Sequence, residues 1–263
     1  MPRSIDINCD MGEWETSETA QTAQCRQSRA QSDLELMSFI SSCSIACGGH
    51  SGDAQSMQTT LRNAVANGLR VGAHPAYPDK IDFGRRSLDL PLDALAASLN
   101  LQISTLRAIA INEGAQLAFV KPHGALYNDM VSDRLLADTV IQTVKAIDPT
   151  LALMGLAGSY LKASCEAQGV RFIAEAFADR RYNDDGQLTP RNLPGAVIES
   201  PQAATQQIVS LLEHGSVVSI NGKSIPLIAD SICVHSDTPG AFEHVATINT
   251  LLHHRNIGVI AGR

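Results

Sequence analysis

Along this chain, one apolar β-like run after another ends in a charged residue or a histidine. Ser4–Asp10 (SIDINCD) closes on Asp10, Ser44–His50 (SIACGGH) on His50, and Leu69–His74 (LRVGAH) on His74. Leu117–His123 (LAFVKPH) closes on Lys121 and His123, Arg171–Asp179 (RFIAEAFAD) on Glu175 and Asp179, and Ile232–Asp237 (ICVHSD) on His235 and Asp237. Parallel strands buried on both faces read as near-continuous Val/Ile/Leu/Ala runs, and α/β folds place their chemistry at the C-terminal ends of such strands. A structural protein has no reason to put ionisable groups at the same end of strand after strand. The pattern reads as an enzyme.

The same rhythm constrains the architecture. Strand-like runs near 4–9, 43–47, 69–73, 117–121, 151–156, 171–177 and 231–235 alternate with helix-like runs at 33–41, 53–67, 92–113, 133–147, 159–168, 202–214 and 241–254. Asp53 is a good helix starter, with Asn67 and Gly68 as the stop. This makes about seven β-α units without a long hinge, in a chain of 263 residues. A barrel of this class typically takes about 250 residues. The expected fold is α/β: a single-domain β/α barrel over residues 1–263, closed or nearly so, with a doubly wound open sheet as second choice. Two segments break the rhythm. Val217–Ile220 and Ile225–Ile228 flank Asn221-Gly222 and predict a hairpin with a type I′ turn. Residues 180–196 form a polar Gly/Pro-rich loop carrying Arg180, Arg181 and Arg191, and a loop of that length usually covers a site or is mobile.

Composition narrows the function classes. With 44% hydrophobic and 18% charged residues the chain can bury a large core. Its net charge of −7 argues against a general nucleic-acid or anionic-membrane binder. No apolar stretch is read as approaching the roughly 20 residues of a membrane span. The N-terminus enters a strand almost at once, which leaves no room for a signal peptide, so a cytoplasmic location is expected. The six cysteines contain no CxxC pair and read as buried free thiols.

The strand ends supply the candidate site. Asp6, Asn8 and Asp10 alternate onto one face of the first strand, so Asp10 and Asn8 face the mouth while Asp6 sits lower as a structural residue. Glu13 follows just beyond. In Cys47-Gly-Gly-His50-Ser-Gly-Asp53 a glycine-rich turn, with Gly48 in it, enters a helix and could bring N–H groups to an anion. It fits neither GxxxxGK[ST] nor GxGxxG. Asp10, His50 and His74 could bind a divalent metal, or act as a proton relay without one. Arg85 and Arg86 in Phe83-Gly-Arg-Arg offer guanidiniums for a carboxylate or phosphate. Lys121 ends a core strand, where lysine is rare unless paired or contacting an anion, and His123 shares its face. Tyr127 and Asn128 follow. Glu175, Asp179 and Arg180 bring two carboxylates and a cation to one strand end, and His235 and Asp237 do likewise on the last. His214, His244, His253 and His254 fall on helix-like runs and read as surface or packing residues. No GxSxG or HExxH motif is present, so serine nucleophile chemistry is not favoured.

With these residues in place the sequence closely resembles the LamB/YcsF family, whose members are the A subunits of bacterial ATP-dependent 5-oxoprolinase. The matching stretches are DINCDMGE (Asp6–Glu13), ACGGHSGD (Ala46–Asp53), GAHPAYPD (Gly72–Asp79), FGRRSL (Phe83–Leu88), VKPHGALYN (Val120–Asn128), EAFADRRY (Glu175–Tyr182) and CVHSDTPGA (Cys233–Ala241). The family fold is similar to a seven-stranded barrel of the glycoside hydrolase/deacetylase type. Three positions depart from the family pattern: Gly49 stands where a bulky aromatic is usual, Ser51 where Ala is common, and Ser236 where Gly is expected. The first could widen the pocket floor.

The resemblance implies ATP-dependent hydrolysis of 5-oxo-L-proline to L-glutamate, with Mg2+ accompanying ATP and with B and C subunits as partners; self-association is left open, as is a bound transition metal. On this reading Lys121 and the Gly48–Gly52 turn hold phosphate and Arg180 or Arg86 meets the substrate carboxylate. Glu175 orients a partner, and Asp10, His50, His74 or His123 serves as general base for water. Two other readings stay open: a metal-dependent amide hydrolase or deacetylase acting on a carbohydrate-like substrate through Asp10, His50 and His74, and a non-catalytic subunit that delivers the lactam to partners.

Overall fold

In the computed structural model, residues 4–14, 20–235 and 241–261 are described, the side chains of 20–27 excepted. The strands are β1 (Ser4–Met11), β2 (Ser42–Ala46), β3 (Arg70–His74), β4 (Phe119–Val120), β5 (Ala152–Leu156), β6 (Phe172–Phe177), β7 (Ser216–Val218), β8 (Ser224–Pro226), β9 (Ser231–Cys233) and β10 (Gly258–Val259). Between them run helices α1 (Ala20–Leu36), α2 (Ala54–Ala66), α3 (Leu92–Asn112), α4 (Gly124–Ser132), α5 (Arg134–Ile147), α6 (Leu161–Ala167), α7 (Pro201–His214) and α8 (Ala241–His254). The sheet runs β1-β2-β3-β4-β5-β6-β9 and closes on itself through β9 and β1, every pair parallel. The result is a closed seven-stranded α/β barrel, as expected, and not an open sheet. β10 extends β1 at its start, pairing at Ser4 and Ile5.

Alternation along β1 explains how closure creates a polar interior. Ile5, Ile7, Cys9 and Met11 join the large core shared with the helices. Asp6, Asn8 and Asp10 point the other way, into the barrel. Inside, Asp6 accepts hydrogen bonds from the hydroxyls of Ser41 (2.7 Å), Ser42 (2.8 Å) and Ser231. A small separate cluster of Phe119, Ala152, Met154 and Ile173 fills the apolar side. Gly72 is required there, because a Cβ would lie 2.3 Å from the Phe119 ring.

Three helical features differ from the sequence reading. The first helix spans Ala20–Leu36 and is followed by a 3-10 turn at Met37–Phe39, rather than running over 33–41. Its first half is polar and carries no apolar stripe to read. α4 is an addition to the expected helices: it starts at Gly124 (φ 58°), directly after His123, whose side chain makes no cap. α3 is long and apolar enough to cross a membrane by length and composition, contrary to the sequence reading. In the fold its Leu95, Leu99, Ile103, Leu106 and Ala110 pack into the core.

The hairpin exists as β7 and β8, antiparallel with Val217 opposite Ile225. Its turn is not type I′, which needs positive φ at both central residues. Among the described residues only Phe83 and Asn256 have positive φ without being glycine, so Asn221 does not, whereas Gly222 has φ 83°. The Gly222 N–H closes the turn on the Ser219 carbonyl at 2.9 Å. Cys9, Cys43, Cys47, Cys165 and Cys233 are free and buried, as expected for thiols packed as apolar groups.

Candidate active site

Strand register delivers the site. Asp10 lies opposite Ser44, Ala46 opposite His74 and Phe177 opposite Cys233, so the strand ends meet at one mouth. The mouth opens into a cavity of about 900 Å³, lined by Asp10, Glu13, His74, Arg85, Lys121, His123, Arg180 and His235 among others. Asn183 and Gln187–Asn192 of the 180–196 loop form part of the wall, so this loop covers the site. Tyr182 anchors the loop: it is fully buried and its hydroxyl accepts from the Phe177 N–H at 2.8 Å.

At the centre stands Lys121, 2% exposed. Its Nζ lies 2.7 Å from Glu175 Oε1, 2.9 Å from Asp10 Oδ1, 3.1 Å from Asn8 Oδ1 and 3.2 Å from Cys233 Sγ. Burial alone would lower the lysine's pKa, but the carboxylates of Asp10 and Glu175 outweigh it and hold the ammonium well above its usual range. Burial likewise would raise Asp10, but His74 and then Lys121 hold its carboxyl well below the usual carboxylate range. Burial keeps the Cys233 thiol well above its ordinary range even beside Lys121, so it stays a neutral S–H. Tyr127 faces Glu175, and burial followed by that carboxylate pushes its hydroxyl well up. An ammonium has three protons, and Lys121 already faces four acceptors. It is a fixed field element and has no donor left for phosphate.

To one side lie the histidines. His74 Nδ1 contacts the Lys121 carbonyl at 2.7 Å, and His123 Nε2 contacts the Phe83 carbonyl at 3.0 Å. His50 Nε2 lies 3.1 Å from Glu13 Oε1, and its ring stacks on His123 at 3.7 Å between centroids. Burial first, and neighbouring histidines next, push His50 and His123 well below the usual imidazole range. The FGRR stretch turns out to act through its backbone. Phe83 takes the left-handed region (φ 55°), a conformation costly for a bulky residue, and so presents its carbonyl to His123. Gly84 packs so closely that a Cβ would lie 2.9 Å from the His50 Cβ.

On the other side His235 is oriented by Asp179. Its Nδ1 lies 2.9 Å from Asp179 Oδ1, and its ring stacks on Phe177. A carboxylate can only accept, so Nδ1 carries the proton, and in the neutral ring Nε2 is the nitrogen with a lone pair. Nearby, Arg180 is 6% exposed and lines the cavity. Its guanidinium donates to the Thr189 carbonyl at 2.7 Å, while the buried Nε has no partner among the described residues. Burial and then Arg191 lower it to about 10, so it stays charged at neutral pH.

Other sequence candidates fall elsewhere. Arg86 is exposed, lies outside the cavity lining and pairs with Asp82 at 3.3 Å; Arg85 lines the cavity instead. Gly48 has φ 90° and its N–H donates to the Ser51 carbonyl at 2.8 Å, so the turn spends this donor on itself. His50, Asn8, Glu175 and Asp179 stand behind the lining residues and contact them. Asp237 and Ser236 lie outside the described residues. Gly49 does not widen the floor: a Cβ there would meet the Gln102 amide at 2.3 Å, and that amide bonds both Ala76 N–H and C=O. Sequence reasoning misses the Phe83 carbonyl, Cys233 and Gln102, since a backbone conformation and a neutral packing contact leave no residue-type signal.

Comparison with known proteins agrees with this fold. The LamB/YcsF family model matches residues 5–262. The third 5-oxoprolinase A subunit of Pseudomonas syringae pv. tomato is 40% identical over 254 residues, covering 95% of this chain and 94% of that protein. The 5-oxoprolinase A subunit of Acinetobacter baumannii is also 40% identical, over 97% of this chain and 96% of its own length. The crystal structure of the lactam utilization protein from Thermus thermophilus superposes with a TM-score of 0.87 at 34% identity, covering 98% of this chain and 100% of that one. This chain belongs to the LamB/YcsF family.

Proposed function

We propose that this chain is the A subunit of a multi-subunit 5-oxoprolinase of the cytoplasm, opening 5-oxo-L-proline to L-glutamate at the expense of ATP. The observation that carries the chemistry is Arg180, a buried guanidinium without an ion pair among the described residues, in the same cavity as the Asp179–His235 pair. A small amide bearing a carboxylate fits both: Arg180 takes the carboxylate and the His–Asp pair handles a proton. The names of the relatives supply which lactam.

A five-membered lactam is a stable amide, which accounts for the coupling to ATP. The lactam oxygen takes the γ-phosphoryl group and ADP leaves. Water then adds to the activated ring carbon, the C–N bond breaks with a proton passing to nitrogen, and a second water hydrolyses the resulting acyl phosphate. Asp10, Cys233 and His235 offer ligand atoms all within 4.8 Å of one another. A water held there meets two acceptors, ionised Asp10 and His235 Nε2, and His235 passes the proton on. Lys121 keeps Asp10 ionised throughout. With the Gly48 N–H and the Lys121 donors already engaged, binding of Mg2+-ATP falls to the B and C subunits. Release of glutamate and ADP is measured with this chain alone and with candidate partners. Coupled release only in the full mixture supports the reading; glutamate release without ATP defeats it.

A further inference from the structure

Two of the cavity-lining histidines, His74 and His123, present a conflict that no pair of neutral tautomers resolves. Carbonyl oxygens only accept, so His74 must carry its proton on Nδ1, toward Lys121, and His123 on Nε2, toward Phe83. The remaining nitrogens, His74 Nε2 and His123 Nδ1, then face each other at 2.9 Å with a lone pair on each. Two lone pairs at that distance repel unless a shared proton or a metal cation lies between them. The Glu13 carboxylate approaches the same point, with Oε1 at 3.4 Å from His123 Nδ1 and 3.9 Å from His74 Nε2, and Asp10 Oδ2 lies 3.4 Å from His74 Nε2 on the side toward Lys121.

We infer that His74 Nε2, His123 Nδ1 and Glu13 Oε1 form a site for a divalent transition-metal ion of the zinc type. An ion bonded at about 2.0–2.1 Å in tetrahedral array separates its donors by about 3.3 Å, and the three separations here bracket that value. The surroundings are those of a metal site. Each histidine donates its other N–H to a backbone carbonyl, which fixes the tautomer that leaves the ligating nitrogen bare. His50 stands behind and contacts Glu13 at 3.1 Å, steadying the carboxylate. Its ring lies parallel to that of His123 (interplanar angle 4°), so the two lone pairs do not converge on one point, and His50 is a supporting residue here. All three donors line the cavity, which leaves the ion's remaining position open to a water or a substrate oxygen. Two imidazoles and a carboxylate suit Zn(II), and Co(II) as its spectroscopic stand-in. This site does not depend on the 5-oxoprolinase reading, because its test needs no turnover.

The test is titration of the metal-free full chain with Co(II) and Zn(II), followed by Co(II) absorption and by metal analysis after dialysis. One equivalent is expected, with visible bands of a low-coordinate nitrogen/oxygen site that Zn(II) abolishes. His123→Ala and Glu13→Gln should each weaken binding at least about 10–100-fold, whereas Cys233→Ser should leave it unchanged. Should those variants not fold, 15N imidazole spectra of the unaltered chain take their place: Zn(II) should shift His74 Nε2 and His123 Nδ1 and spare His235. No stoichiometric binding by the folded chain would overturn the inference and leave a shared proton holding the 2.9 Å contact. A thiolate-to-Co(II) charge-transfer band, or full binding after His123→Ala, would overturn it as well.

Discussion

Asp6 and Asp10 lie on the same strand, on the same face, and both are buried, yet their surroundings make them different chemical objects. Asp6 is enclosed by the hydroxyls of Ser41, Ser42 and Ser231, neutral donors that complete its shell and leave nothing to react. Asp10, two pleat repeats nearer the mouth, meets Lys121 at 2.9 Å and His74 at 3.4 Å and opens on the cavity. A chain of contacts joins them: Ser231 accepts from the Asn8 amide, and the Asn8 oxygen accepts from Lys121. The lower carboxylate anchors and the upper one faces the cavity. What separates them is the chemistry of their partners, not their burial.

The comparison is broken or sharpened by substitution. The largest effect is expected at Asp10. Asp10→Asn should cut coupled glutamate release about 10²–10⁴-fold while leaving the fold intact. Asp6→Ala should do the reverse, costing about 3 kcal/mol or more in denaturant unfolding because three buried hydroxyls lose their shared acceptor, with activity per folded molecule little changed. Lys121→Met should destabilise by about 3–5 kcal/mol, since it strands Asp10 and Glu175 together without a counter-charge. Acid should then narrow its deficit against the unaltered chain, because protonating either carboxylate relieves the repulsion; thermal melts across pH check this.

Asp33 gives a smaller and sign-specific effect. It accepts from the Gly12 N–H at 2.9 Å, next to Glu13, and burial raises it to about 7. The fold therefore favours its neutral form, and its stabilising contribution is full below about pH 4 and lost as pH rises through about 7. Asp33→Asn should accordingly gain on the unaltered chain as pH rises through that window, by about 2–4 kcal/mol in all, and match it near pH 4. Smallest in free energy are the arginines. Arg180→Gln should raise the KM for 5-oxoproline about 10–100-fold. Arg86→Gln should change it less than about twofold, as an exposed pair with Asp82 contributes little.

The barrel is legible because buried parallel strands leave apolar runs that end in charge, and the alternation of Asp6, Asn8 and Asp10 identifies which face inward. Helices with a starter and a stop, such as Asp53 before α2 and Asp133 before α5, are readable to within a residue or two. α4 is not, because His123 gives no cap and a glycine opens the helix. At the site, residue types point to the right strand ends but not to partners. That Lys121 is saturated, that Gly48 uses its own N–H, and that Arg85 rather than Arg86 faces the cavity all depend on the folded geometry, much of it distances across the barrel between residues far apart in sequence. Phe83 illustrates the limit: its contribution is a carbonyl aimed by a left-handed backbone, and its side chain gives no hint of it.

The most direct measurement is simultaneous glutamate and ADP release from 5-oxoproline and ATP in the mixture of this chain with the B and C subunits, comparing the unaltered chain with Asp10→Asn and Asp6→Asn. The account predicts matched release from the unaltered chain, near-complete loss with Asp10→Asn, and retention with Asp6→Asn wherever that variant is folded. Matched release that survives Asp10→Asn would contradict it, and would mean that the lactam is opened away from this barrel's mouth.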